Sequence, residues 1–253
     1  MVVRLIAYRE SDRVVKLVTP DGGLVSAIVP GARRSVKRFS NVFDIGNRIL
    51  VRVAVRKRGM ARVEAGKLLD GYWPLSQSAA GVAALEHVVE LARRFSAEDH
   101  AEPEIYRLSV AALEDLAAHG VRPRVLRTFE LRLLGAAGLA PNLEHCVVCK
   151  KAARENAAAR YSVARFGIVC SACTPGRELT ELSAATRAWM RETQSAPFGE
   201  LFTIPAPAGA VEPLADLLPR QVEYHLGAPL KALRYARRLV KPDEYHGVKA
   251  DAG

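Results

Sequence analysis

All four cysteines of the chain fall in two C-x2-C pairs, Cys146-Val147-Val148-Cys149 and Cys170-Ser171-Ala172-Cys173, with 20 residues between them. No other feature restricts the fold as strongly. Two such knuckles bring four thiolates around one ion at ~2.3 Å, the tetrahedral all-sulfur arrangement of a closed structural zinc site. The intervening segment must then leave the site and return to it, as a small ribbon does. Reduced unliganded thiols, a redox pair and a rubredoxin-like iron site use the same residue types; zinc is the reading preferred because no cysteine is left over. A catalytic zinc would keep a water position open and use His or a carboxylate. His145 stands beside Cys146, but a fourth thiolate is already available, so His145 reads as a surface residue.

The formal net charge of +10 is not spread along the 253 residues. Residues 1–67 hold 15 Lys and Arg against 5 Asp and Glu, which accounts for the whole excess, and the remainder is neutral. A solubility device would be dispersed over the surface, whereas a polyanion-binding module concentrates its cations. The densest stretch, "PGARRSVKRFSNVF" from Pro30 to Phe43, carries Arg33, Arg34, Lys37 and Arg38 with no acid before Asp44. A loop of this kind is often only solvated. Its neighbourhood in sequence, which includes Arg48, Arg52, Arg56, Lys57 and Arg58, favours phosphate contact.

Composition excludes several classes. No run approaches the ~18 apolar residues of a membrane helix, and the first residues, "MVVRLIAYRESDR", are charged at once with no apolar core of a signal peptide. A cytoplasmic protein is expected, its cysteines being reduced thiols or metal ligands and not disulfides. There is no G-x-x-x-x-G-K-[ST] phosphate loop, no G-x-S-x-G elbow and no H-E-x-x-H. The six histidines are scattered without metal spacing, and Asp12 and Glu64 read as local partners of cations. The expectation is therefore a binding protein and not an enzyme.

Periodicity divides the chain. "VVRLIAY", "RVVKLVT" and "LVSAIV" are short β-branched runs, with "TPDGG" as a hairpin turn between the last two. In "NRILVRVAVRKRGM", Ile49, Val51, Val53 and Val55 alternate with Arg48, Leu50, Arg52, Ala54 and Arg56. A period of two sends the β-branched set to a core and the arginines to the other face. With "ARVEAGKLL" this makes five strands in about 70 residues, fitting a small closed barrel of the OB type, whose face and loops bind nucleic-acid strands. From Ser76 the period becomes helical: "AAGVAALEHVVELARRF", a helix stopped at Gly120, and a helix after Pro123 with Val125, Leu126, Phe129 and Leu133 on one stripe. A helix around "LSAATRAWMRE" follows, and Pro219 is expected to interrupt the closing helical pattern. The fold class expected is α+β and multidomain: an N-terminal OB-fold β-barrel over 1–75, and an α-helical domain over 76–253 with an inserted four-cysteine zinc ribbon at 141–178.

"YRESDRVVKLVTPDGGLVSAIVPGARR", "LRTFELRLLGAAGLAPNLEHCVVC" and "YHLGAPLKALRYARRL" together resemble the bacterial RecO family of recombination mediators, in order and over nearly the full length. The resemblance implies a non-enzymatic protein of the RecFOR pathway of DNA repair and DNA recombination, acting after DNA damage. Such a protein binds single- and double-stranded DNA, anneals complementary strands and works with RecR. It engages the acidic C-terminal tail of the single-stranded DNA-binding protein and helps load RecA. It also implies a cytoplasmic, nucleoid-associated location and a zinc ion that is structural. On this reading Arg33, Arg34, Lys37, Arg38, Arg48, Arg52, Arg56, Lys57 and Arg58 contact DNA. Phe129, Leu133 and Arg132, neighbours on one helix, supply the apolar slot and the cation for the tail peptide. The alternatives are another OB and zinc-ribbon factor, acting in transcription or RNA processing, and a zinc-dependent nucleic-acid enzyme.

Overall fold

A computed structural model describes residues 1–32, 41–54, 60–98, 100–155, 157–174 and 178–232. The chain forms two compact units, Met1–Val121 with the residues from Lys231 onward, and Arg122–Leu230.

The first unit is built on five strands: β1 (Val2–Tyr8), β2 (Asp12–Thr19), β3 (Gly23–Val29), β4 (Arg48–Ala54) and β5 (Ala61–Asp70). Their order in the sheet is β1-β2-β3-β5-β4, with β3 and β5 parallel and every other pair antiparallel. The turn between β2 and β3 closes because Gly23 takes φ 61° and the Thr19 hydroxyl accepts the Gly22 N–H at 3.1 Å. The β-branched alternation of β4 is realised. Ile49, Val51 and Val53 pack on a core of Val2, Val15, Leu17, Ala27, Val29, Phe43 and Val63, while the Arg52 side chain stays 75% exposed.

The sheet does not close into the expected barrel. Between β1 and β4 no ladder forms among the described residues. The gap is spanned at one end only, where Val2 N–H donates to Asn47 O and Gly46 N–H donates to Val2 O, each at 2.9 Å. Val2 also opposes Leu17 on β2, and the β1–β2 register shifts between Val2 and Arg4. Val2 therefore bridges β2 on one side and the Gly46–Asn47 turn on the other. Two helices complete the unit, α1 (Ala79–Phe95) and α2 (Pro103–His119). Ser78 caps α1 by accepting the Gly81 N–H, and Gly120 at φ 79° ends α2 as its sequence predicts. The buried face of α1 includes His87 and Glu90 beside its alanines and valines. Both Glu90 carboxylate oxygens are engaged, accepting the N–H groups of Lys231 at 3.2 Å and Ala232 at 2.7 Å.

The second unit contains α3 (Pro123–Ala136), a three-stranded sheet, α4 (Ala184–Ser195) and α5 (Leu214–Leu226). The sheet strands are β6 (Ala159–Ser162), β7 (Gly167–Val169) and β8 (Thr180–Leu182), in the order β7-β6-β8. Pro123 occupies the first turn of α3, where a missing N–H costs nothing. Pro219 does not interrupt α5 as expected; the helix runs through it to Gly227, which stops it at φ 61°. Burial outweighs the one lost main-chain bond, since Leu214, Leu217, Leu218, Gln221 and Val222 all face the core. Arginines fasten the irregular stretches: Arg124 donates to Phe202 O at 2.6 Å and Ile204 O at 3.0 Å, and Arg127 to Leu214 O at 3.2 Å. Arg127 also pairs with the buried Glu130 at 2.8 Å.

Candidate metal centre and basic face

The first knuckle is shaped by local hydrogen bonds. The Asn142 side-chain oxygen accepts the N–H groups of Glu144 and His145, at 3.1 and 2.9 Å, and turns the chain toward Cys146. Cys146 N–H donates to Lys151 O and Lys150 N–H returns to Cys146 O, at 2.8 and 2.9 Å, closing a tight loop around the C-x2-C. Lys150 sits at φ 63°, the left-handed conformation such a reversal needs. The second knuckle is a single 3₁₀ turn, Ser171–Cys173, entered from β7. β7 joins the two: Val147 N–H bonds Ile168 O at 2.9 Å. Gly167 permits that approach, because a Cβ there would lie 2.5 Å from the Val147 side chain and 2.7 Å from Asn142 O.

The result is that the four sulfurs of Cys146, Cys149, Cys170 and Cys173 all lie within 4.8 Å of one another, with Cys149 and Cys170 3.6 Å apart. Bonds of ~2.3 Å at tetrahedral angles place sulfurs ~3.8 Å apart, so the cluster has the size of one ion's coordination shell. Burial raises the Cys146 thiol, but N–H groups of Cys149, Cys170 and Val148 outweigh it and pull the group down to about 6. Cys173, hydrogen-bonded to Cys170, is pushed up to about 12. Among the described residues the donor set is four thiols with no imidazole or carboxylate, which could hold one metal ion and fits a closed zinc site. His145 is exposed, as a surface residue should be.

Arg187, on α4, holds the base of this ribbon. The side chain is buried, and it donates to Leu143 O at 2.7 Å and to the carbonyls of Arg154, Glu155 and Ala157 at 2.5, 3.2 and 3.1 Å. Nothing in the local sequence signals this role, since its acceptors are main-chain groups 30 to 44 residues away.

Of the nine basic residues expected to contact DNA, Arg33, Arg34, Lys37, Arg38, Arg56, Lys57 and Arg58 lie outside the described residues. Arg52 points outward from β4 and pairs with Glu64 at 3.2 Å. Arg48 is placed differently, one third exposed and 3.3 Å from Glu114 on α2. Asp12 has a role the sequence did not disclose. Its carboxylate accepts the Gly31 N–H at 2.8 Å, which ties down the chain at Gly31 and holds the carboxyl below its ordinary range.

The three residues expected to receive a tail peptide occupy one stretch of α3. Phe129 and Leu133 are 0% exposed, packed inside the unit. Arg132 donates to Thr193 O, Gln194 O and Ala196 O at 3.3, 2.9 and 2.9 Å, where α4 ends. A cation there satisfies the last carbonyls of a helix and opposes its negative end.

Residues 1–72 match the family described as Recombination protein O N terminal, and residues 77–234 match Recombination protein O C terminal. The chain belongs to the RecO family. It is 33% identical over 239 residues to the DNA repair protein RecO of Anaeromyxobacter sp. (strain K), covering 93% of each chain. The DNA repair protein RecO of Geobacter sulfurreducens is 32% identical over 240 residues, and that of Myxococcus xanthus 28%; each alignment covers 94% of this chain and 96% of the relative. Among the described residues no helix is long and apolar enough to cross a membrane.

Proposed function

We propose that this chain is a non-enzymatic recombination mediator in DNA repair, binding single- and double-stranded DNA through its N-terminal unit and annealing complementary strands. One observation carries the reading: the entire net charge of +10 resides in residues 1–67, the part that forms the five-stranded sheet. Two strands approach each other against phosphate repulsion, and a cationic surface that neutralises both lowers that barrier. On this reading RecR and the tail of the single-stranded DNA-binding protein are partners, RecA is loaded indirectly, and the protein works in the cytoplasm at the nucleoid. Zinc holds the ribbon in shape and takes no part in chemistry.

The test replaces Arg33, Arg34, Lys37 and Arg38 together by Ala. Binding to any DNA sequence should weaken about equally, and the slope of log K against log salt should fall by ~0.9 per lost phosphate contact on duplex. Annealing of complementary oligonucleotides should slow in parallel. Unchanged affinity, slope and annealing would return the loop to a solvated surface feature. A transcription or RNA-processing factor would bind nucleic acid without accelerating annealing.

A further inference from the structure

The chain has two tryptophans, and the fold treats them in opposite ways. Trp189 is 1% exposed in the core of the second unit. Trp73, just after β5, is 52% exposed. It does not stand alone. Leu50 on β4 is 64% exposed and Leu69 on β5 is 50% exposed. Leu50 pairs in register with Lys67, and directly opposed residues of an antiparallel ladder share a face. Leu69 lies two residues beyond Lys67, at a register shift where Ile49 opposes Leu68 and Arg48 opposes Asp70, and its side chain is exposed as well. Just past β5 the Trp73 ring rests against Gly71, where a Cβ would lie 2.9 Å from the ring. Glycine at this position leaves the indole its seat.

The charges around this strip are cationic. Lys67 and Arg52 flank it on the same two strands, and both are exposed. Of the nearby acids, Glu64 shares Arg52 at 3.2 Å in an exposed ion pair, of a kind weak enough for a phosphate to displace, and Asp70 accepts the Tyr72 N–H at 3.0 Å. An apolar and aromatic surface edged by cations, in a segment carrying the whole net charge, complements a strand that offers flat apolar faces and negative phosphates together. An unpaired nucleic-acid strand has both; a duplex hides its base faces in its own stack.

We propose that Trp73, at the end of the strand that carries the exposed Leu69 and Lys67 and next to the strand that carries Leu50 and Arg52, is a stacking platform for unpaired bases. The inference rests on the DNA-binding reading above and assigns it a single-strand-selective subsite. In annealing, a base held on Trp73 is presented unpaired to the incoming strand.

The test uses the full chain, an oligo(dT) and a hairpin duplex of equal length. Because Trp189 is buried, quenching of tryptophan fluorescence reports on Trp73. The expected results are quenching by oligo(dT), and a loss of oligo(dT) affinity of about tenfold in Trp73→Leu, the order of one stacked base. Duplex affinity should be nearly unchanged, and Trp73→Tyr should restore most of the single-strand binding. Gly71→Ala, which drives a methyl into the ring, should abolish quenching with the indole still present, and serves if Trp73→Leu fails to fold. Unaltered oligo(dT) binding in Trp73→Leu, or equal losses in the Leu and Tyr variants, overturns the platform and leaves the DNA-binding reading intact. So does sedimentation showing that Trp73→Leu changes only self-association, which would make the strip an interface between copies. A wild type that binds neither oligonucleotide defeats the DNA-binding reading itself.

Discussion

Arg187 and Leu143 are joined by a 2.7 Å hydrogen bond from the guanidinium Nε to the main-chain carbonyl, across 44 residues of sequence. The same guanidinium serves the carbonyls of Arg154, Glu155 and Ala157. One side chain on α4 therefore satisfies the irregular backbone on both sides of the first knuckle.

Arg187→Ala should destabilise the second unit by about 3 kcal/mol, because it leaves the Leu143 carbonyl of a buried bond and three part-buried carbonyls without this donor. Arg187→Lys should recover little, since an ammonium cannot reproduce the planar fork that reaches all four. Urea unfolding of the two variants, followed by the fluorescence of the buried Trp189, checks both statements. Full recovery in the lysine variant would show that charge alone is required.

Cys146→Ser should release the metal and loosen the second unit, since binding at a closed site contributes folding free energy directly. Metal analysis should find one zinc per wild-type chain and close to none in the variant, with four thiols becoming reactive in wild type after chelation. Oligonucleotide binding by the first unit should persist. Loss of binding in a still-folded variant would place the ribbon on the nucleic acid.

The carboxyl of Glu86 on α1 is raised above its ordinary value, first by burial and then by the charge of Glu90 one turn away. A raised carboxyl binds its proton more tightly in the folded state than in the unfolded chain. Its contribution is thus favourable at low pH and is lost as pH rises from about 4.5 through the folded-state value. Glu86→Gln should remove that decline and raise stability at neutral pH. Thermal unfolding of both proteins between pH 4 and pH 8 measures the difference. Parallel curves would exclude Glu86 as the source of any pH dependence.

Arg132→Ala should cost about 2 kcal/mol of stability by uncapping α4, the size expected when charge-assisted bonds to carbonyls are lost. Calorimetry with an acidic tail peptide then separates two roles. A tenfold weaker peptide interaction in a folded variant assigns Arg132 to partner binding. An unchanged affinity leaves it with the α4 terminus alone, the position its three carbonyl partners define.

Features that depend only on neighbours along the chain are legible in the amino-acid sequence alone. The two-residue period of β4 sorts Ile49, Val51 and Val53 from Arg52, because successive strand side chains must face opposite sides. The stripe of Val125, Leu126, Phe129 and Leu133 marks the buried face of α3 for the corresponding helical reason. The C-x2-C spacing announces four converging sulfurs, since two residues between cysteines suffice for a turn that aims both inward.

What the sequence leaves undetermined depends on distant pairing. Whether β1 and β4 join is one such case: the order β1-β2-β3-β5-β4 leaves them at opposite edges, and register and pairing are properties of two strands together. Pro219 stays within α5 because burial around it outweighs one missing bond, a balance that only the packed unit sets. Arg132 and Arg187 look like ordinary helical cations in sequence; their acceptors, 30 to 64 residues away, make them clamps. Nothing in the residues around Trp73 says whether its ring is covered. Gly71 and the end of β5 put it outside, because local periodicity specifies which residues share a face, and the assembled fold decides which faces are covered.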